Sequence, residues 1–243
     1  MNGARTLFIT GTASYTGATT VSNGTVHLSG SISGGGAVTV AGGTLMGNGS
    51  VSGGINVLPG GTLAPGASVG KLTAGGAVSL AGTNLMEIDP AGDTNDVLQA
   101  ASIAYGGTLS LSVLPGTLQA GDTFKLYNAT SYSGSFSLIT PATPGTGLRW
   151  GTGALNTTGT IRIDVVPQPG ISEVVLSGSN LTVKGTNGLA GAEIYLRTST
   201  DISVALSSWT LLATNVVGGA GTVSFTIPVD FNEAQRYYAL QAP

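Results

Sequence analysis

Apolar positions in the first ninety residues come in short alternating bursts. Val38-Thr39-Val40 is typical: two apolar side chains flank a hydroxyl, and glycine brackets the burst at Gly36 and Gly42. A period of two marks a strand with one buried face. Such strands are shorter than those of an ordinary sandwich, which also needs large aromatic core residues. Residues 16–104 contain no Phe, Trp or Tyr.

The bursts repeat. Asn23-Gly24-Thr25-Val26 returns as Gly42-Gly43-Thr44-Leu45 and Gly60-Gly61-Thr62-Leu63, with Gly82-Thr83-Asn84-Leu85 a weaker copy. Their threonines, 25, 44, 62 and 83, are spaced by 19, 18 and 21 residues. Between them, Gly30-Ser31-Ile32-Ser33-Gly34-Gly35 returns as Gly49-Ser50-Val51-Ser52-Gly53-Gly54, and Gly36-Ala37-Val38-Thr39-Val40 as Gly76-Ala77-Val78-Ser79-Leu80. Each unit reads as two or three short strands separated by glycine turns. One such coil cannot bury its own inner face, but coils stacked ~4.8 Å apart share one core. The pattern therefore predicts an all-β chain beginning with a right-handed parallel β-solenoid, or β-helix, over residues 1–90.

The texture changes at Glu87-Ile88-Asp89-Pro90. An acidic, loop-like stretch holds Glu87, Asp89, Asp93 and Asp96, and longer strands with aromatics follow, such as Thr108-Leu109-Ser110-Leu111-Ser112-Val113 and Thr160-Ile161-Arg162-Ile163-Asp164-Val165. Residues 91–166 read as a wider closing part of the solenoid. Pro167-Gln168-Pro169-Gly170 reads as a linker. Residues 171–243 read as a small C-terminal β-sandwich, with strands near 172–176, 180–184, 193–198, 209–215, 222–227 and 236–241. Its expected core is Val174, Leu176, Leu181, Val183, Ile194, Leu196, Trp209, Leu211, Phe225, Ile227, Tyr238 and Leu240.

Composition removes several alternatives. Glycine, at 40 of 243 residues, has no Gly-X-Y period, so collagen is excluded. With 41% hydrophobic and 8% charged residues, the chain lacks the signature of disorder. Eight basic residues, singly scattered, form no phosphate-tracking patch, so nucleic acid is not an expected partner. No apolar run is long enough for a membrane helix, so membrane insertion by this chain is not expected either. With no Cys there is no disulfide, thiolate metal site or thiol nucleophile.

Candidate chemistry is sparse. The single histidine, His27, lies between Val26 and Leu28, where alternation points it outward, and no nucleophile or acid motif accompanies it. Asp89, Asp93, Asn95 and Asp96 offer oxygen ligands for Ca²⁺ but lack the EF-hand spacing, so a solvated turn is expected. The first 86 residues contain no acid, which argues against a glycosidase pair on a solenoid face. The chain is therefore expected to be non-enzymatic, with no cofactor and no metal.

Residues 13–26, Ala-Ser-Tyr-Thr-Gly-Ala-Thr-Thr-Val-Ser-Asn-Gly-Thr-Val, resemble the passenger-associated β-strand repeat of autotransporter proteins, with Ser14 where Asn is usual and Val26 where Leu is usual. Gly121-Asp122-Thr123-Phe124, Tyr132-Ser133-Gly134-Ser135-Phe136 and Gly147-Leu148-Arg149-Trp150 resemble the end-of-solenoid segment of such surface proteins. The span from Ser207-Ser208-Trp209 to Tyr237-Tyr238 resembles a C-terminal module on such proteins in environmental bacteria. The resemblance implies an extracellular or cell-surface location and a structural role.

Two roles follow. In the first, the chain is a self-associating subunit of a surface fibre or sheath, a homopolymer joined through solenoid ends and strand addition. Leu7, Phe8 and Ile9 form the candidate assembly edge, because only Arg5 and Lys71 carry formal charge before Glu87 and little guards that edge. In the alternative the chain is an adhesin that binds glycan on the C-terminal module, with Trp209, Tyr237 and Tyr238 as a stacking platform; the default reading of the same residues is core and edge packing.

Overall fold

The computed structural model describes residues 5–242. Residues 1–4 and 243 of the expected segments lie outside that range. The chain divides into two compact units, Met1–Val165 and Val166–Pro243.

The first unit is a β-solenoid built rung by rung. The first rung holds β1 (Thr6–Ile9), β2 (Thr12–Ala13) and β3 (Thr19–Val21); the second holds β4 (Thr25–Leu28), β5 (Ser31–Ile32) and β6 (Val38–Val40). The third holds β7 (Thr44–Gly47), β8 (Ser50–Val51) and β9 (Ile55–Val57), and the fourth β10 (Thr62–Pro65), β11 (Lys71–Ala74) and β12 (Ala77–Leu80). The fifth is β13 (Thr83–Asp89), β14 (Thr94–Asn95), β15 (Val97–Gln99) and β16 (Ser102–Tyr105). The sixth runs through β17 (Thr108–Val113), β18 (Thr123–Lys125), β19 (Tyr127–Asn128) and β20 (Ser131–Gly134), and β21 (Leu138–Thr140) opens a seventh.

Equivalent strands pair in parallel and make three sheets: β1-β4-β7-β10-β13-β17-β21, β2-β5-β8-β11-β15-β19 and β3-β6-β9-β12-β16-β20. The repeated threonines fall in one column, Thr6, Thr25, Thr44, Thr62, Thr83 and Thr108. The next position points inward and forms the column Leu7, Val26, Leu45, Leu63, Asn84, Leu109 and Ile139. Leu45, Leu63 and Leu109 are fully buried, and each such leucine contributes roughly 1.5–3 kcal/mol.

Rungs can stack this closely only where the corners carry no side chain. A Cβ on Gly30 would stand 2.1 Å from the Gly11 carbonyl oxygen, and one on Gly49 would stand 2.4 Å from that of Gly30. The corner column therefore requires glycine for contact with the preceding rung.

The parallel sheets continue past residue 90, through β21. Along the first sheet the rung starts are 19, 19, 18, 21, 25 and 30 residues apart. In the fifth rung the added residues are not a plain loop. β14 folds back antiparallel on β13, pairing Asn95 with Ile88 and Thr94 with Asp89. The backbone N–H groups of Ala91 and Gly92 donate to Asp89 Oδ1 at 3.1 Å, which fixes the turn.

The far end is closed by a lid of different geometry. After β21 come β22 (Leu148–Gly151), a single helical turn α1 (Leu155–Thr158) and β23 (Thr160–Val165). β18, β23 and β22 form an antiparallel sheet. Its Phe124, Trp150, Ile161 and Ile163, with Leu155 of α1, belong to the same core cluster as the rungs.

The second unit contains β24 (Gly170–Ser177), β25 (Asn180–Thr186), β26 (Glu193–Ser199), β27 (Thr210–Val216), β28 (Val223–Pro228) and β29 (Tyr237–Gln241). They form two antiparallel sheets, β24-β25-β28 and β27-β26-β29. Val183, Ile194, Leu196, Val217, Val223, Phe225 and Ile227 are its buried core. Three expected core residues are exposed instead: Val174 by 53%, Leu176 by 55% and Leu211 by 48%. Val174 and Leu176 lie opposite Val183 and Leu181, on the inner face, but β24 is an edge strand and they are left uncovered. Leu211 follows a register shift between Leu196 and Arg197 that sets it opposite Arg197, outside the core.

Candidate functional site

The two ends of the solenoid differ. At the N-terminal end, β1, β2 and β3 each lie last in their sheets, so one edge of each is unpaired among the described residues. Leu7 heads the inward column but is 43% exposed, whereas Val26 behind it is 9% exposed and Leu45 is fully buried. Among the described residues, this core side chain has a column neighbour on one side only. Ile9, on the same strand face, is half-buried against the core cluster.

Phe8 points outward, is 64% exposed and lies with its ring centroid 5.3 Å from that of His27. His27 stands on the outer face of β4, and its Nδ1 is enclosed without a hydrogen-bond partner. Tyr15 is also exposed, its hydroxyl 2.7 Å from Thr19 Oγ1. A Cβ on Gly11 or Gly17 meets nothing within 4 Å, whereas the glycines one rung deeper are pressed against backbone. The space at these two corners is where another rung would lie. Leu7, Phe8 and Ile9 thus occupy one continuous strand edge, which follows Arg5 in the sequence.

The opposite end is filled with aromatic rings. Tyr105 lies 5.0 Å from Tyr127, 4.9 Å from Phe136 and 6.1 Å from Tyr132, centroid to centroid. The Tyr105 hydroxyl donates to the Leu155 carbonyl at 3.0 Å, tying the last rungs to the lid. Tyr127 is fully buried and donates to Asn84 Oδ1 at 2.6 Å, while Asn84 Nδ2 donates to the Leu63 carbonyl at 3.1 Å. Burial, and secondarily the facing tyrosine ring, holds both phenols well above their ordinary range. These groups are neutral structural hydrogen-bond donors. Repeat comparison marks Asn84 as the irregular position; its tyrosine partner, 43 residues away, has no signal in the sequence.

The acidic stretch does not converge on a cation. Among the described residues no three His, Cys, Asp or Glu side chains are placed to hold a metal. Asp96 is 1% exposed and accepts from the Gly70 N–H at 2.8 Å and the Glu87 N–H at 2.7 Å, joining neighbouring rungs. Burial pushes its carboxyl up to about 7, although both N–H groups pull the other way.

In the second unit the three aromatic candidates are not one platform. Tyr238 lies opposite Thr198 and Tyr237 opposite Ser199, so they face opposite sides of the sheet. Trp209 is 9% exposed and its indole N–H donates to the Val204 carbonyl at 3.0 Å. Arg197 Nη1 donates to the Trp209 carbonyl at 2.9 Å, fixing the start of β27.

No protein-family model matches the chain, and no curated protein matches it either.

Proposed function

We propose that this chain is a non-enzymatic structural protein that associates with copies of itself through the N-terminal end of its solenoid, as a subunit of an extracellular fibre or sheath. The observation that carries the reading is Leu7: a core-column side chain, 43% exposed, on a strand whose outer edge is unpaired among the described residues. An unpaired apolar strand edge recruits another strand unless charge, proline or a bulge blunts it. Here none of these devices lies within Thr6–Ile9, and the corner glycines leave room for a neighbouring rung. Placement at a cell surface is supported by the likeness of residues 13–26 to the autotransporter-associated repeat, in keeping with the solenoid on which those residues lie.

The test keeps the fold and removes the edge. Leu7→Lys places a charge on the open face, and Gly11→Val projects into the corner space, where a Cβ meets nothing within 4 Å. Both variants are expected to fold with wild-type circular dichroism and to lose the self-association that the parent shows in sedimentation velocity and electron microscopy. A parent chain that sediments as a monomer at high concentration, or variants that associate as the parent does, would remove the proposal.

A further inference from the structure

A chain with one associating end forms only pairs; a fibre needs a second contact. From the free edge of β29 and the uncovered inner face of β24, we infer that the C-terminal unit carries that contact, a twofold junction in which β29 pairs antiparallel with β29 of a second copy. The inference rests on the self-association reading.

The argument starts from missing cover. Val174 and Leu176 point to the inner side of their sheet yet are exposed by 53% and 55%. Among the described residues β29 pairs with β26 alone and ends the facing sheet. Leu176, Leu181, Phe231, Glu233, Arg236 and Tyr238 line a cleft on this side. A strand added beside β29 would lie against that cleft.

The chemistry of β29 allows its own copy as the occupant. Tyr237-Tyr238-Ala239-Leu240-Gln241 carries no charge, and the one flanking cation, Arg236, is paired with Glu233. Two such strands therefore meet without like-charge repulsion. Sheet parity then restricts the register. Tyr238 and Leu240 lie on the inner side and Tyr237, Ala239 and Gln241 on the outer, and directly opposed residues must share a side. A twofold axis is allowed through any one residue of the strand, and only the Ala239 register pairs all five residues, Tyr237 against Gln241 of the second copy.

Exposed Val174, Leu176 and Phe231 together offer roughly 300–400 Å² of apolar surface per copy, against about 800 Å² per partner in a standard stable complex. The junction is therefore weak alone and acts through avidity in a chain already joined at its solenoid end.

The sequence contains no cysteine, so one engineered thiol reports one place. Ala239→Cys puts two thiols across the axis at a Cβ separation of about 4.5–5.5 Å, close to disulfide reach. Under mild oxidation the full-length Ala239→Cys chain is expected to form disulfide dimers, whereas Ala220→Cys, exposed in the β27–β28 loop, is not. Adding Leu176→Lys to Ala239→Cys should slow cross-linking by about tenfold or more. Adding Leu7→Lys should leave cross-linking in place. Cross-linking of Ala239→Cys no faster than of Ala220→Cys, or unaffected by Leu176→Lys, overturns the junction. Persistence of Leu7-dependent association in that case would show that the solenoid-end reading survives without it.

Discussion

Replacing Tyr127 by Phe removes one oxygen from the dry interior of the solenoid. That hydroxyl donates to Asn84 Oδ1 at 2.6 Å, and both residues are fully buried. The remaining Asn84 carbonyl has no described alternative donor, so the loss is that of an unsatisfied buried acceptor, about 1–3 kcal/mol. Asn84→Leu restores an aliphatic column from Leu63 to Leu109 with the same number and branching of side-chain heavy atoms, but it leaves the Tyr127 hydroxyl unpaired, at a similar cost of about 1–3 kcal/mol. The double variant leaves neither group stranded. The bond to the Leu63 carbonyl is lost in both Asn84 variants and cancels from the coupling. A double-mutant cycle should therefore show the pair recovering both of these costs, about 2–6 kcal/mol, relative to the sum of the single changes. Urea unfolding read from Trp150, in a Trp209→Phe background, isolates the solenoid because Trp150 lies in its lid. Additivity within about 0.5 kcal/mol would show that the buried pair is not an energetic unit.

Two further outcomes follow from the same geometry. Asp96 has its carboxyl raised from 3.8 to about 7 by burial. Between those values the folded chain holds a proton that the unfolded chain releases, so this group's stabilisation is complete below about pH 4 and is lost as pH rises through about 7; urea midpoints of the solenoid should fall across that window, and Asp96→Asn should flatten the slope. Trp209→Ala removes a ring that is 9% exposed, and should cost about 3–5 kcal/mol of the C-terminal unit's stability, whereas Tyr237→Ala should cost far less; equal, small effects in thermal melts would count against Trp209 as packing.

How much of this was legible in the sequence differs by scale. Local sterics and a period of two are properties of a few adjacent residues, so the threonine repeat and the alternation in Val38-Thr39-Val40 announce short strands, glycine corners and stacking before any coordinate is known. The strand limits of the C-terminal unit follow for the same reason. Tertiary structure alone decided matters that depend on distant neighbours. Val174 and Leu176 have the pattern of core residues, but whether a facing strand reaches them is set by sheet width, so they end exposed. Leu211 is turned outward by a one-residue register shift on its partner strand. The acidic stretch reads as a solvated turn, yet Asp96 is drawn inside to bind N–H groups of Gly70 and Glu87. The candidate edge at Leu7, Phe8 and Ile9 was visible as an uncharged apolar strand; that Leu7 heads a buried column with nothing described beyond it became evident only when the rungs were stacked, because exposure belongs to the neighbour and not to the residue.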